Sequence, residues 1–337
     1  MRNKNSVFTI AEIAQAHDGS LGLAHSYIDA LAKRNVDAIK FQIHIAHAES
    51  SPHEPFRTKF SYEDKSRFDY WERMSFSIKE WKDLKQHCDD KGIEFMASVF
   101  SNEAVNWAEE IGVKQYKIGS GEINNLLLLE KISHTKKPVI LSSGMSSLCE
   151  INNSINFLMA KEIEVSLLQC TTSYPTKSHE YGLNMITEFK KRYDIPIGFS
   201  DHSAKVSTGI AAVALGAEIL EFHVAFSREQ FGPDSISSLT LDEVKNLIIG
   251  IDDITMAMNH PIDKDDGDKF KDLKQIFEKS LALNKNLSKG QKITFDDLEA
   301  KKPKNKGIDP KYFKDIIGKT LKVDKRAWSF LTEEDLK

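Results

Sequence analysis

Eight short runs rich in β-branched and apolar residues recur along the first two thirds of the chain: Val7 to Ile13, Ala38 to Ile43, Ile93 to Phe100, Gln115 to Ser120, Pro138 to Gly144, Val165 to Thr171, Ile195 to Asp201 and Ile219 to Phe226. Between them apolar positions return at helical spacing, over His25 to Lys33, Ser77 to Lys91, Asn102 to Ile111, Ile151 to Lys161, Ser207 to Leu215 and Leu241 to Met258. The alternation predicts parallel strands covered by helices. Gly92, Gly112 and Gly216 stand just before strands, where left-handed geometry ends a helix, and Pro138 and Pro196 open strands at positions that need no N–H. Eight such units within about 250 residues predict a closed (β/α)8 TIM barrel. An open doubly wound sheet is the alternative, weakened because no GxGxxG follows the first strand.

Two stretches break the pattern. Ile45 to Ser75 is rich in His, Ser, Pro and charge and reads as a long loop over the C-terminal mouth of the barrel, with Phe68, Tyr70 and Trp71 tucking it down or touching a ligand. His260 to Lys269 is polar and turn-prone. The division expected is a barrel over 1–260, a linker over 261–276 and a small, mainly non-helical domain over 277–337. Residues 261–337 carry 19 Lys and Arg against 15 Asp and Glu, whereas the whole chain has a net charge of −4. A basic module delivering a cation to an anionic ligand and a merely solvated surface both fit that contrast.

The overall charge removes the electrostatic reason to expect a nucleic-acid partner, and no run of 18 apolar residues suggests a membrane span. Three scattered cysteines, Cys88, Cys149 and Cys170, without a CxxC spacing suit a reducing, cytoplasmic compartment. Cys170, with no catalytic base beside it in sequence, reads as a structural thiol.

Polar groups collect where the strands end, on the face that carries barrel active sites. They are Glu12, Lys40, Gln42, Ser98, Lys117, Ser120, Glu122, Ser142, Ser143, Thr171 to Tyr174, Asp201, His202, Glu221 and His223. Lys40 and Gln42 are two apart and share a face, as do Glu221 and His223. An inward lysine costs several kcal/mol, roughly, unless an anion pairs with it. Lys40 and Lys117 therefore suit a phosphate or carboxylate ligand, or else a structural salt bridge to Glu12 or Glu122. His202 and His223 close consecutive units. Two neutral imidazoles there suit a divalent transition metal whose other positions are filled by water or substrate oxygens, with Asp201 and Glu221 as acceptors behind them, although hydrogen-bonded structural histidines are the plainer reading. Lys117 to Glu122 (KIGSGE) and Leu141 to Met145 (LSSGM) combine glycines and hydroxyls that hold oxyanions; His17 to Gly19 alone carries no metal claim.

Taken together, AEIAQAHDGS (Ala11 to Ser20), IKFQ (Ile39 to Gln42), YKIGSGE (Tyr116 to Glu122), LSSGM, LLQCTTSYP (Leu167 to Pro175), GFSDHS (Gly198 to Ser203), ALGAEILEFH (Ala214 to His223) and FGPD (Phe231 to Asp234) resemble the sialic acid synthase family, in order and across nearly the whole barrel. Lys279 to Pro303 is similar to that family's small antifreeze-like (SAF) C-terminal domain. The resemblance implies a domain-swapped homodimer that condenses phosphoenolpyruvate with an N-acylated amino sugar such as N-acetylmannosamine, releasing phosphate and a 2-keto acid. It implies Mn2+ or another divalent ion on His202 and His223; phosphoenolpyruvate at Lys40, Ser98, Lys117, Ser120, Ser142 and Ser143; the sugar at Gln42, Glu122, Tyr174, Asp234 and Lys302; and catalytic roles for Glu12, Lys117 and Glu122. Lys302 stands where the family commonly has an arginine, which loses the rigid fork. Ala16 replaces an asparagine common before His17. A diamino sugar acceptor, giving a legionaminic or pseudaminic acid, and a noncatalytic sugar-binding barrel are the other readings.

Overall fold

The structure is a computed structural model that describes residues 7–58 and 60–337. The chain divides after His260 into two compact units. In the first, eight strands form a closed barrel in sequence order: β1 (Phe8–Ala14), β2 (Ala38–Ile43), β3 (Glu94–Val99), β4 (Tyr116–Ile118), β5 (Val139–Ser142), β6 (Val165–Cys170), β7 (Ile197–Asp201) and β8 (Ile219–His223). Every neighbouring pair is parallel, and β8 closes on β1 with Glu12 opposite His223. This is the (β/α)8 TIM barrel expected from the alternation; the open sheet is excluded.

The helices are α1 (Leu21–Ala32), α2 (Ala46–Glu49), α3 (Arg67–Met74), α4 (Ile78–Lys91), α5 (Asn102–Ile111), α6 (Leu126–Ser133), α7 (Leu148–Met159), α8 (Asn184–Arg192), α9 (Val206–Ala214) and α10 (Leu241–Asn259). Local chemistry sets their ends. Ser77 and Ser147 close capping boxes with Glu80 and Glu150, and Gly92 ends α4 in the left-handed region at φ 70°. None of the described helices is long and apolar enough to cross a membrane.

Two layers of core follow from the period of two along each strand. Outward residues such as Ile39, Phe41, Phe95, Tyr116, Leu141, Leu167 and Phe222 pack with Tyr27, Trp81, Leu84, Ile155 and Phe189 of the helices. Inward residues Ile10, Ala38, Met96, Ile140, Leu168 and Ile219 plug the barrel's lower half. Two positions further along the same strands stand Glu12, Lys40, Ser98, Ser142, Cys170 and Glu221, all buried. The barrel thus changes from hydrocarbon to ionic within one residue pair.

The loop expected over Ile45 to Ser75 contains α2 and α3, and Tyr70, Trp71 and Met74 are buried with Ala46 in a satellite cluster. In the second unit, α11 (Lys271–Phe277) occupies the last six residues of the stretch expected to be linker. An antiparallel pair, β9 (Ser280–Leu283) with β10 (Leu298–Lys301), and α12 (Phe313–Ile316) follow. Leu281, Leu283, Leu287, Ile293, Ile316, Leu321 and Leu331 belong to a separate core.

Candidate active site

The ionic layer is a closed network. Lys40 Nζ contacts Glu12 Oε2, lies 3.7 Å from Glu221 Oε2 and donates to Ser98 Oγ at 2.9 Å. Lys117 Nζ donates to Ser142 Oγ at 2.7 Å and lies 3.3 Å from Glu221 Oε1, which also accepts from Ser200. Burial works against every charge here, and the partners decide the outcome. Burial would lower Lys40, yet Glu12 and Glu221 hold it above the usual lysine value. Burial lowers Lys117 as well, and Glu221 does not make up the difference because Lys40 pushes the same way. Burial also leaves Glu12 raised, while the two lysines draw Glu221 below the usual carboxylate range. Lys117 is therefore the cation with the least compensation, the one an incoming anion would stabilise most.

One step above, the two histidines face each other with ring centroids 5.0 Å apart and planes at 68°. Thr171's carbonyl accepts from His202 Nδ1 at 2.9 Å, which turns Nε2 away from the backbone. That carbonyl replaces the acceptors expected from sequence. Asp201, one residue along the strand, faces the opposite way and is held by Ser203 N–H and hydroxyl at 2.8 and 3.0 Å, and Glu221 is committed to the lysines. Burial opposes the His202 imidazolium, but neighbouring Cys170, 3.9 Å from Nδ1, and the Thr171 carbonyl push it up to about 9. Burial lowers His223 to about 3, so it is a neutral imidazole. Two imidazole donors suit a transition-metal ion; among the described residues no third His, Cys, Asp or Glu completes a chelating set, so water or substrate oxygens would fill the other positions. A metal would have to displace a proton from His202.

These layers open into one cavity of about 350 Å³, within the range of small-molecule sites. It brings together Glu12, Lys40, Gln42, Ser98, Lys117, Ser120, Glu122, Ser142, Tyr174, His202, His223 and Asp234. Ser143 is not among its lining residues. Adjacent to Ser142 on the strand end, it turns the other way and donates to the Leu168 carbonyl at 3.1 Å. Lys302 belongs to the second unit, where its Nζ lies 4.8 Å above the Phe277 ring. Glu122, raised chiefly by burial, accepts from Asn125 at 2.7 Å. Ser120 Oγ accepts from Gly144 N–H at 3.0 Å, and a Cβ at Gly144 would overlap the Thr172 and Ser120 hydroxyls.

Sequence reasoning missed Gln15, His44, Glu49, Arg57 and Arg67, all of which line the cavity. His44 continues the period of two from Lys40 and Gln42, a signal hidden because it lies beyond the strand. The arginines offered none beyond the loop's basic, aromatic composition. Arg57 pairs with Asp234 at 2.6 Å and lies 4.0 Å over the Tyr174 ring, which stacks on His202 at 4.1 Å. Arg67 lies 2.9 Å from Glu54.

The model of the NeuB family matches residues 27–263 and that of the SAF domain residues 278–337. The chain is 34% identical over 316 residues to N,N'-diacetyllegionaminic acid synthase of Campylobacter jejuni, covering 92% of this chain and 94% of that protein. It is 29% identical over 341 residues to human N-acetylneuraminate-9-phosphate synthase, covering 97% and 92%. The solved structure of N-acetylneuraminic acid synthetase from Leptospira borgpetersenii serovar Hardjo-bovis, in complex with citrate, is similar with a TM-score of 0.71 at 32% identity, covering 80% of this chain and 90% of that one.

Proposed function

The chain belongs to the NeuB family, the sialic acid synthases, and from that premise we propose that it condenses phosphoenolpyruvate with the open-chain aldehyde of an N-acylated amino sugar and water, giving a 2-keto sugar acid and phosphate. The observation that carries the reading is the pair of buried lysines, one of them undercompensated, set below two facing imidazoles in a single cavity. Lys117 and Lys40, with the Ser98 and Ser142 hydroxyls, suit the phosphate and carboxylate of the donor. C3 of the enol attacks the sugar carbonyl carbon and forms the new C–C bond. Water adds at C2, and the C2–O bond to phosphate breaks as the ketone forms. Glu12, with a raised pKa and one oxygen on Lys40, is the group suited to move a proton at the former aldehyde oxygen. A divalent ion on His202 and His223, Mn2+ by family resemblance, would supply Lewis acidity toward that oxygen. A homodimer is part of the same proposal, read by sedimentation.

The acceptor proposed first is N-acetylmannosamine. A 2,4-diacetamido hexose is the second reading, supported by the 34% identity to a legionaminic acid synthase. A phosphorylated sugar fits the cavity less well: among the described residues its lining also holds Glu49, Glu54, Glu122 and Asp234, and Arg57 and Arg67 are already paired with Asp234 and Glu54. Phosphate release is measured with phosphoenolpyruvate, Mn2+ and each sugar in turn. Turnover only with an acceptor supports condensation, and no release with any amino sugar by folded, metal-loaded protein refutes it.

A further inference from the structure

A row of largely buried side chains runs from Glu12, the group suited to move the proton, to Glu49 in the loop after β2. Gln42 Nε2 donates to Glu12 Oε1 at 2.7 Å, and Gln42 Oε1 accepts from Gln15 Nε2 at 2.7 Å. The His44 ring comes next. Its Nε2 lies 2.9 Å from Gln15 Nε2 and 3.0 Å from Gln42 Oε1, and its Nδ1 lies 2.5 Å from Glu49 Oε1. The imidazole is clamped between Trp71, at 3.7 Å and 15°, and Phe100, at 4.5 Å and 9°. The His44 and Glu49 side chains are only 5% and 7% exposed, so the contact between them is largely shielded from bulk water.

The polarity of the row is set from its outer end. A carboxylate offers only lone pairs, so Glu49 fixes a proton on His44 Nδ1. Nε2 lies against both the Gln15 amino group and Gln42 Oε1, so it accepts from the first or donates to the second, and either way Gln42 Oε1 is engaged by an N–H on this side. That commits the Gln42 amino group to Glu12. In the opposite tautomer a bare Nδ1 would face the carboxylate, while Nε2–H would donate to Gln42 Oε1 and crowd the Gln15 amino group, so the ring would lose its anchor on Glu49 and the row its fixed end. We propose that Glu49 and His44 are positioning residues: through Gln15 and Gln42 they keep an N–H on Glu12 and hold its carboxylate in working orientation. The catalytic consequence rests on the condensation reading, while the polarity of the row does not.

Full-length protein labelled with 15N-histidine tests the polarity directly. A long-range 1H–15N spectrum, with His44 identified by its loss in His44→Gln, should show Nδ1 protonated, and Glu49→Gln should release the ring to the other tautomer. Glu49→Gln should lower kcat about 10- to 100-fold with KM for phosphoenolpyruvate within about twofold, and Glu49→Asp should recover part of the loss. A bare Nδ1 in the unaltered protein overturns the proposal. So does wild-type kcat in Glu49→Gln, or a loss carried wholly by KM. If the unaltered enzyme consumes no phosphoenolpyruvate with any amino sugar, the condensation reading fails, and the spectrum still decides the row.

Discussion

Glu221 is shared by both lysines of the barrel interior, and this decides what each is free to do. Lys40 has a second carboxylate in Glu12, so its charge is spoken for before any ligand arrives. Among the described residues Lys117 has the shared one and the Ser142 hydroxyl. Lys117→Met keeps most of the apolar length and removes the charge. Phosphoenolpyruvate affinity, read by calorimetry, should fall by about 10- to 100-fold, the range of one charge-assisted hydrogen bond, while amino-sugar affinity changes far less. Equal losses for both ligands would mean that the barrel itself had been damaged. Gly198 is a second single-residue constraint. A Cβ there would overlap the Ile219 carbonyl and press on Leu168, so β7 can approach β8 only without a side chain. Gly198→Ala should cost about 1–3 kcal/mol in urea unfolding. At this scale the sequence was most readable where alternation applied, which is why Glu12, Lys40, Ser98, Lys117, Ser142, His202 and His223 were picked out and all line the cavity. It failed for Ser143, whose neighbour faces the cavity, and for Arg57, whose position depends on a loop with no period.

At the scale of elements, the histidine pair depends on two strands ending level with each other. β7 and β8 are in register with Asp201 opposite Phe222, so His202 and His223 emerge side by side, and either alone would leave a single donor. His202→Ala and His223→Ala should each abolish or strongly weaken a calorimetric Mn2+ titration without loss of the far-ultraviolet spectrum; unchanged titrations in both would reject the metal assignment. The loop after β2 is held differently. Arg73 donates to Asp64 at 2.9 and 2.8 Å and to Asp18 at 2.7 Å, tying α3 to the loop after β1. The Arg73 hydrogen bonds hold the Asp64 carboxyl below its usual value despite some burial. Its stabilisation is therefore complete above the ordinary carboxylate range and is lost as the pH falls through the lowered folded value. Arg73→Met should cost about 1 kcal/mol at neutral pH, and the gap to the unaltered protein should close on acidification; a pH-independent gap would assign the loss to packing. Helices were the less readable elements. α6 begins with four consecutive leucines, which carry no helical period, α8 is nine residues long with a strongly basic end, and α3 sits inside a segment whose composition reads as loop.

For the whole molecule, the separation of the cores has a thermodynamic consequence. Every residue of the barrel's outer and inner clusters lies before His260, and every residue of the small core lies after Ser280. Among the described residues each core is built from its own unit's side chains. The boundary was visible in sequence as the polar run after α10, but α11 was not read there, because it is only seven residues long and its apolar residues Leu273, Ile276 and Phe277, although at helical spacing, sit among charges and are exposed. A barrel with its own plug should fold without the residues that follow it, whereas a unit of 77 residues is near the size at which burial only just exceeds entropy. Calorimetry of the full chain should therefore resolve two transitions, with enthalpies of roughly 50 and 180 kcal/mol if each unit follows the usual scaling per residue. A chain shortened to residues 1–260 should keep the larger one. Because the cavity's lining residues all come from this unit, the shortened chain should also keep Mn2+ and phosphoenolpyruvate binding within a few-fold, roughly, of the full chain. A single transition, or a shortened chain that is unfolded by circular dichroism, would show that the two cores are coupled. A folded but ligand-blind barrel would show that the cavity needs something beyond its own walls.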